Sequence, residues 1–508
     1  MNPVLLCLDS GTTAVKAAAF DRRGRLVAMA QGDNTALRRD GSLVEQDMEI
    51  TRDDAFSVLK ECAAKLSDPV AGLILTGQGD GMWPLDAGRQ PVGRAITWLD
   101  GRARTLAASL QQSGNLDAIE AVTFSRPTAA SQSLHLLWLQ QNDPARLARI
   151  AHVLRLKEWL FLCFTGQLMG EPGAALPVWG DWRTGSVSRV IEDALCLRRG
   201  VELLPEFSPV GECRATLSQH AASAIGLPSG VPVLLGPGDV QATLIGLGLG
   251  SREGVSGASI FGTSAIHARW IENPAAMRTK PAGAMVQQFA LGKGYLCFHP
   301  SFNGATLLQH VARLTGQPAA AMSPSYSSVV LHPFFEPGGE RAPCTSPHAS
   351  GAIFGVTAAT RPEHLAWAGR EALAFIARKS HGMMSTAPGK TTDDLALGGG
   401  LAADGEFAGF LSTVLAQKVQ RKTGGHAGLI GLAAIGAKFL YNASNEELGS
   451  DWIGEADENV SPQTGEVAAY AEAKYAIFES MLDRVSPLWG EISQLEERAG
   501  NLMKGQDT

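Results

Sequence analysis

The sequence predicts an α/β protein made of two related halves. Three observations carry that expectation. Apolar runs of strand length alternate with longer helical segments along the 508 residues. A strand, a loop of Gly, Ser and Thr, and a second strand open the chain in "LCLDSGTTAVKAAAF". The same pattern returns past the midpoint in "VSGASIFGTSAIHARW". A chain of this length exceeds one hydrophobic core, and the repeat puts the junction near residues 243–251. The expected division is 1–245, 246–490 and a C-terminal tail, 491–508.

The elements follow in order. Residues 4–8 are continuously apolar and read as a buried strand; 15–21 and 25–30 are two more, turned at 22–24. A helix is expected over 51–66 and a buried strand over 70–76, ending at Gly77. Helices follow at 102–112, 133–140 and 157–165, and the Gly, Pro and Trp residues of 170–185 read as a loop. A short strand over 231–235 runs into "GPGD", then a helix over 240–247. After the second strand–loop–strand come a helix over 362–383, a strand over 395–397 entering "GGG", and helices over 407–417, 428–440 and 468–482.

Composition narrows the classes of function. The formal net charge is -7 and no long Lys/Arg run is present, which argues against nucleic acid or an anionic membrane as partner. Seven cysteines are dispersed without CxxC or CxxH spacing, so neither a disulfide framework nor a zinc site is expected, and reduced thiols suit a cytoplasmic compartment. No signal peptide and no membrane span are read, since runs such as 428–440 are too short.

Several motifs have the residue types that chemistry needs. A turn rich in Gly, Ser and Thr, such as residues 9–13, offers backbone N–H and hydroxyl donors to phosphate oxygens. Gly11 permits close approach, Thr12 and Thr13 supply hydroxyls, Lys16 is a further phosphate contact, and Asp9 could hold Mg²⁺ through water. The same stretch also reads as a polar hairpin with a capping Asp. Gly262, Thr263 and Ser264 form the matching turn of the other half, and two such hairpins facing across a cleft would clamp a polyphosphate. Neither fits a P-loop or a dinucleotide-binding fingerprint. Asp239 follows a strand and lies near the junction, where a carboxylate could take a proton from an attacking hydroxyl; it also reads as a helix N-cap.

Gln78, Asp80, Trp98 and Asp100 are polar groups and an aromatic ring after strand ends, as a polyhydroxylated substrate requires. Gln46 and Asp47 could join them or lie on the surface; Asp100 with Arg102 also reads as a local ion pair at a helix start. Gly398, Gly399 and Gly400, between strand and helix, leave room for a flat ring or a ribose. Glu340–Arg341 reads as a surface ion pair or a hinge.

Taken in order, "LDSGTTAVK", "VEQD", "TGQGDG", "ITWLDGRA", "GPGD", "IFGTSA", "PGGERAP", "GAIFGV" and "ALGGGL" resemble the FGGY family of carbohydrate kinases, from about residue 4 to about residue 440. The resemblance implies two actin-like (ribonuclease-H-like) domains with a nucleotide and sugar cleft between them. It implies ATP, Mg²⁺ and phosphoryl transfer to a hydroxyl of a ketopentose, tetritol or pentitol. By position it makes Asp239 the catalytic base, Asp9 the acid near the metal, and Thr12 and Thr13 the first phosphate loop. Gly262 and Thr263 become the second phosphate loop, Gly398 to Gly400 the adenosine contact, and Gln78, Asp80 and Trp98 substrate contacts. Family kinases are often dimers, so a homodimer is expected.

Departures from the xylulose-kinase pattern are Asp80 in place of a His, Val240 in place of an Asn, His135 in place of a Lys, and Leu401 to Asp404 in place of a Lys/Ser-Asn run. They bring the chain nearer to erythritol and L-xylulose kinases. The competing readings are a non-sugar ATPase on an actin-like fold and a silent sugar-sensing protein.

Overall fold

The computed structural model describes residues 3–112, 114–252, 255–273, 281–316, 322–336, 339–385 and 394–504. The chain packs as two units, one of residues 1–253, 285–296 and 426–455, the other of 254–284, 297–425 and 456–508. The expected single cut at 245/246 thus falls instead at 253/254, and a later segment returns to the first unit. Composition explains the return. The helix Ala427–Leu440 is built of small and apolar residues and lies on the first unit's central strands. A Cβ on its Gly436 would stand 2.7 Å from Ile74 and 2.9 Å from Leu5.

In the first unit the sheet order is Arg214–Thr216, Pro232–Leu235, Val70–Gly77, Val4–Ser10, Ala14–Phe20, Leu26–Asp33. The three strands Pro232–Leu235, Val70–Gly77 and Val4–Ser10 run parallel, and Ala14–Phe20 and Leu26–Asp33 return antiparallel. Val4–Ser10 is apolar without alternation because both faces are covered. Leu6 and Leu8 pack with Phe56 and Leu59 of the helix Met48–Ala63, while Leu5 faces Gly436.

The second unit repeats this centre. Val255–Phe261 pairs antiparallel with Ala265–Ile271 and parallel with Asp394–Gly398, which pairs parallel with Val419–Arg421. Its core is rich in aromatics, with Phe261, Trp367, Phe375, Phe407 and Phe410 all buried.

Two local expectations are corrected. Within 170–185, residues Pro172–Trp179 are helical, because Pro172 suits the first turn and the Glu171 carboxylate accepts from the Gly173 N–H at 2.5 Å. The tail begun at 491 contains most of a 16-residue helix, Trp489–Lys504.

The second unit also buries a polar cluster. Ser259 Oγ lies 3.0 Å from His267 Nδ1 and 2.9 Å from His381 Nε2, so with one hydroxyl proton it donates to one ring and accepts from the other. His267 Nε2, His381 Nδ1 and both nitrogens of the neighbouring His299 are buried with no hydrogen-bond partner among the described residues. Burial pushes His267 down to about 3 and His299 to about 4, and holds His381 well below the usual histidine range, with Arg269 adding repulsion. Because these rings stay neutral when folded but protonate near pH 6.5 when unfolded, they contribute stability that is present above that pH and lost as pH falls toward 4. Replacing His299 by Gln should flatten the pH dependence of unfolding free energy between pH 6.5 and 4 by up to about 1.4 kcal/mol per pH unit. Urea denaturation of both proteins across that range is the check, and identical slopes would refute the assignment.

Candidate functional site

The first unit's parallel strands end side by side. Ser10 lies opposite Gly77, and Leu235 opposite Leu75. Register alone therefore gathers Asp9, Gln78, Asp80 and Asp239 at one sheet edge, where parallel α/β sheets place their sites. Two bonds pin the loop that carries Asp239. The Thr76 hydroxyl donates to the Pro237 carbonyl at 2.5 Å, and the Gly236 N–H donates to the Leu75 carbonyl at 2.8 Å. The N-cap of the following helix is Gly238, not Asp239. Asp239 is its first residue, and its Oδ1 accepts from the Val240 N–H at 2.9 Å.

Electrostatics here are set by burial and like charge. Asp239 is pushed up to about 7, first by burial, then by the negative charges of Asp9 and Asp80. Asp9 is pushed up to about 6 by burial, opposed by Lys16, its partner across the antiparallel pair. Asp9 Oδ1 is buried with no hydrogen-bond partner among the described residues. A Cβ on Gly428 would stand 3.1 Å from Asp9 Oδ2 and 3.3 Å from Thr243 Oγ1, so glycine keeps that side open. A carboxylate oxygen left bare in a negative surrounding fits a divalent cation that keeps most of its waters.

The turn of Gly11, Thr12 and Thr13 is held from beneath. Gly11 N–H donates to Ala14 O at 3.0 Å, the Asn34 side-chain amide donates to Gly11 O at 3.1 Å, and Asn34 N–H donates to Thr13 O at 3.0 Å. Thr13 is exposed, and Gly11, Thr12 and Lys16 are half-buried. The Trp98 indole N–H donates to Thr12 Oγ1 at 3.0 Å. With that lone pair used, the Thr12 O–H remains free to donate to a phosphate oxygen.

Gln78 is buried and its Nε2 donates to Gln46 Oε1 at 3.2 Å, while Gln46 Nε2 donates to Thr51 Oγ1 at 2.9 Å. Gln78 Oε1 is buried and has no hydrogen-bond partner among the described residues, an acceptor fit for a hydroxyl. Asp47 serves the fold instead, capping the helix Met48–Ala63.

Asp100 is a correction to the substrate set. Its carboxylate is held by Val44 N–H at 2.7 Å, Arg102 N–H at 2.9 Å and the Arg102 guanidinium at 2.7 and 2.9 Å. Both oxygens are engaged, so Asp100 positions the 96–102 segment that carries Trp98. His135 is fully buried, with both ring nitrogens unpartnered among the described residues, and burial pushes it down to about 4. It is therefore a neutral ring where the family pattern has a cation.

The remaining candidates belong to the second unit. Gly262 N–H donates to Ser264 O two residues on at 3.0 Å, a tighter local bond than the one Gly11 makes three residues on with Ala14 O. Gly262 O accepts from Ala305 N–H at 2.8 Å, and Thr263 O accepts from the Thr306 hydroxyl at 2.9 Å, leaving the Thr263 side chain exposed. Gly398 ends its strand, and Gly399 has φ +86° with no room for a Cβ, which would meet the Phe261 carbonyl at 2.4 Å. Gly400 has nothing within 4 Å of a Cβ, so the turn is bare on its outer side.

Glu340 is neither a hinge nor a surface partner of Arg341. It is buried and accepts from Ser301, Asn303 and the Phe302 and Arg341 N–H groups, while the Arg341 guanidinium lies 4.0 Å from the Phe302 ring centre. Pro337 and Gly338 of the same motif lie outside the described residues.

Sequence reasoning did not find Asn34, Thr76, Thr243 or Gly428. Their partners lie far away in sequence, as Thr76 is bonded to Pro237 161 positions on, so the sequence does not display their roles.

Two family models match the chain: the N-terminal domain of the FGGY family of carbohydrate kinases over residues 4–246, and the C-terminal domain over 257–439. The erythritol kinase of Brucella abortus (strain 2308) is 27% identical over 524 residues, covering 96% of this chain and 98% of that protein. A xylulose kinase of Streptomyces coelicolor is 30% identical over 361 residues, covering 70% of this chain and 71% of that protein. Among solved structures, ligand-bound xylulose kinase from Lactobacillus acidophilus aligns with TM-score 0.86 at 18% identity, covering 96% of this chain and all of that one. Plasmodium falciparum glycerol kinase with ADP aligns with TM-score 0.80 at 18% identity, over 95% and 98% of the two chains. The fold is thus α/β with two actin-like, ribonuclease-H-like domains.

The elevated Asp239 gives a test. Replacing Asp80 by Asn removes one of the two like charges that raise it. The acid limb of the kcat/KM profile should then move to lower pH at fixed metal concentration. An unmoved limb would separate Asp80 from this charge cluster.

Proposed function

This chain belongs to the FGGY family of carbohydrate kinases and transfers a phosphoryl group to an alcohol of a sugar or polyol, using ATP as donor; from that premise we propose that Asp239 is the general base for a small tetritol, pentitol or ketopentose. The observation that carries this reading is the position of Asp239. It begins a helix at the shared strand ends, with its carboxyl held near neutrality where it can both take and release a proton.

In the proposed reaction a terminal hydroxyl of the polyol attacks the γ-phosphorus, its proton passes to Asp239, and ADP departs. Gln78 Oε1 accepts from one substrate hydroxyl, and Asp80 accepts from another. Trp98 packs against the carbon skeleton while its indole N–H keeps Thr12 oriented. Thr12, Thr13 and Lys16 donate to phosphate oxygens, and Gly11, lacking a side chain, lets the phosphate approach the turn. Thr263 contributes further donors from the turn that Gly262 opens, and the Gly398 to Gly400 turn takes the adenosine. Asp9 holds Mg²⁺, which when bound would offset charge on the phosphates; its bare buried oxygen supports that role. Catalysis in this scheme is positioning plus electrostatic stabilisation. A soluble, cytoplasmic setting fits a chain in which no described helix is long and apolar enough to cross a membrane.

The polyol class is supported by the names of its relatives and by an acceptor-rich substrate side. ADP release measured with erythritol, glycerol, D-xylulose and L-xylulose should be stimulated by at least one. Asp239→Asn should cut that stimulated turnover by about 10²–10⁴-fold while nucleotide binding persists. Turnover indifferent to every polyol would instead favour an ATPase, and no turnover a sensor. A near-normal Asp239→Asn enzyme would remove the base assignment.

A further inference from the structure

The second unit holds a buried acid that takes no part in the proposed reaction. Glu340, Ser301 and Asn303 are each at most 3% exposed. Glu340 Oε1 accepts from the Phe302 N–H at 2.9 Å and the Arg341 N–H at 2.7 Å. Its Oε2 accepts from the Ser301 hydroxyl at 2.7 Å and from Asn303 Nδ2 at 2.8 Å. A carboxylate suits this convergence because both terminal oxygens accept and neither donates. Burial pushes the carboxyl up, and the four bonds oppose that shift and make a buried charge tolerable.

The acid is the fixed point of this cluster. Its own backbone pairs both ways with Ser346, N–H to carbonyl at 2.8 Å and back at 2.9 Å. Asn303 is also fixed, because its Oδ1 accepts from the Phe335 and Glu336 N–H groups at 3.0 and 3.2 Å. Those two bonds settle which end of the amide faces Glu340. Residues 301–303 are therefore held from one carboxylate.

The next three residues touch the turn 262–264. Gly304 meets it main chain to main chain: a Cβ there would stand 2.4 Å from the Ser264 carbonyl carbon and 2.6 Å from Gly262 O. Ala305 N–H donates to Gly262 O at 2.8 Å, and the Thr306 hydroxyl donates to Thr263 O at 2.9 Å. With both carbonyls tied, these peptide units cannot rotate without breaking a bond to 305 or 306. We propose that Glu340 is a positioning residue for phosphate binding: through Ser301, Phe302 and Asn303 it sets the segment 304–306, and that segment sets the peptide planes of Gly262 and Thr263. The inference rests on the reading of 262–264 as a phosphate turn.

Binding of ADP by titration calorimetry, and of adenosine by displacement, both at fixed Mg²⁺, is the test. Glu340→Gln turns an amide toward Asn303 Nδ2, donor against donor. It should weaken ADP about tenfold, the scale of one buried donor left unpaired, and leave adenosine within about twofold. Adding Asn303→Asp should restore ADP affinity, because the new carboxylate accepts from the introduced amide and from the Phe335 and Glu336 N–H groups together. Ser301→Ala removes one donor with less threat to the fold and should weaken ADP in the same selective way; it decides the matter if circular dichroism shows Glu340→Gln unfolded. Unchanged ADP affinity in Ser301→Ala or in a folded Glu340→Gln overturns the proposal. So does an equal loss of ADP and adenosine, or a loss that Asn303→Asp does not restore. Thr263→Ala separates the two levels. If it weakens ADP while the Glu340 and Ser301 variants do not, only the positioning role falls; if none of the three alters ADP affinity, the phosphate turn falls with it.

Discussion

Burial of acids at the first unit's sheet edge, reinforced at Asp239 by like charge, governs that part of the structure. Asp9 and Asp239 sit on or just past adjoining parallel elements, and Asp80 adds its charge to theirs. In water three carboxylates would separate; here register and two short backbone ties keep them near. The neighbourhood then has to tolerate or relieve the repulsion. Burial leaves Asp9 and Asp239 titrating near neutrality, with like charge adding to the effect at Asp239, and one Asp9 oxygen is buried with no hydrogen-bond partner among the described residues. Gly79 and Gly428 lie against these acids, where a Cβ would stand 3.8 Å from Asp239 Oδ1 and 3.1 Å from Asp9 Oδ2, and keep bulk out of the space beside them. A site that is electrostatically incomplete when empty is one that gains most when a metal–nucleotide arrives.

A second layer of contacts connects groups with different tasks. Trp98, read as a sugar-facing aromatic, donates to Thr12 of the phosphate turn. Gln78 is oriented by Gln46, which is oriented in turn by Thr51 of the first long helix. Asp100 and Arg102 hold the segment on which Trp98 rides. On the proposed assignment, a shift of Trp98 would also move Thr12, coupling the two ligand sides through one hydrogen bond.

Much of this was legible in the sequence, for physical reasons that differ by residue. The doubled strand–loop–strand was visible because buried parallel strands are continuously apolar and phosphate turns have few residue types to choose from. Asp239 and Asp9 stood out because an acid directly after an apolar strand is conspicuous. Asp100 did not reveal its role, since an Asp two residues before an Arg looks the same whether it binds substrate or braces a loop; the deciding partner, Val44, is 56 positions away. Gln46 was ambiguous for the same reason. The helix Pro172–Trp179 was hidden by its prolines, although Pro172 and the Glu171 cap favour it. Glu340 was hidden in the same way as Asp100: an acid beside Arg341 reads as an ion pair, and the partners that decide otherwise, Ser301 to Asn303, lie 37 to 39 positions back.

Two glycines fix the helix that begins with Asp239. A Cβ on Gly246 would lie 1.8 Å from the Ala427 carbonyl oxygen, and one on Gly431 would lie 1.8 Å from that of Ala242. The two helices therefore touch main chain to main chain, although nearly two hundred residues separate them along the polypeptide. During translation the amino-terminal unit must wait, with one face of its sheet bare, until the helix ending at Leu440 has cleared the ribosome. Asp239, made near the middle of the chain, heads a helix whose packing is completed only when residues 427–440 arrive.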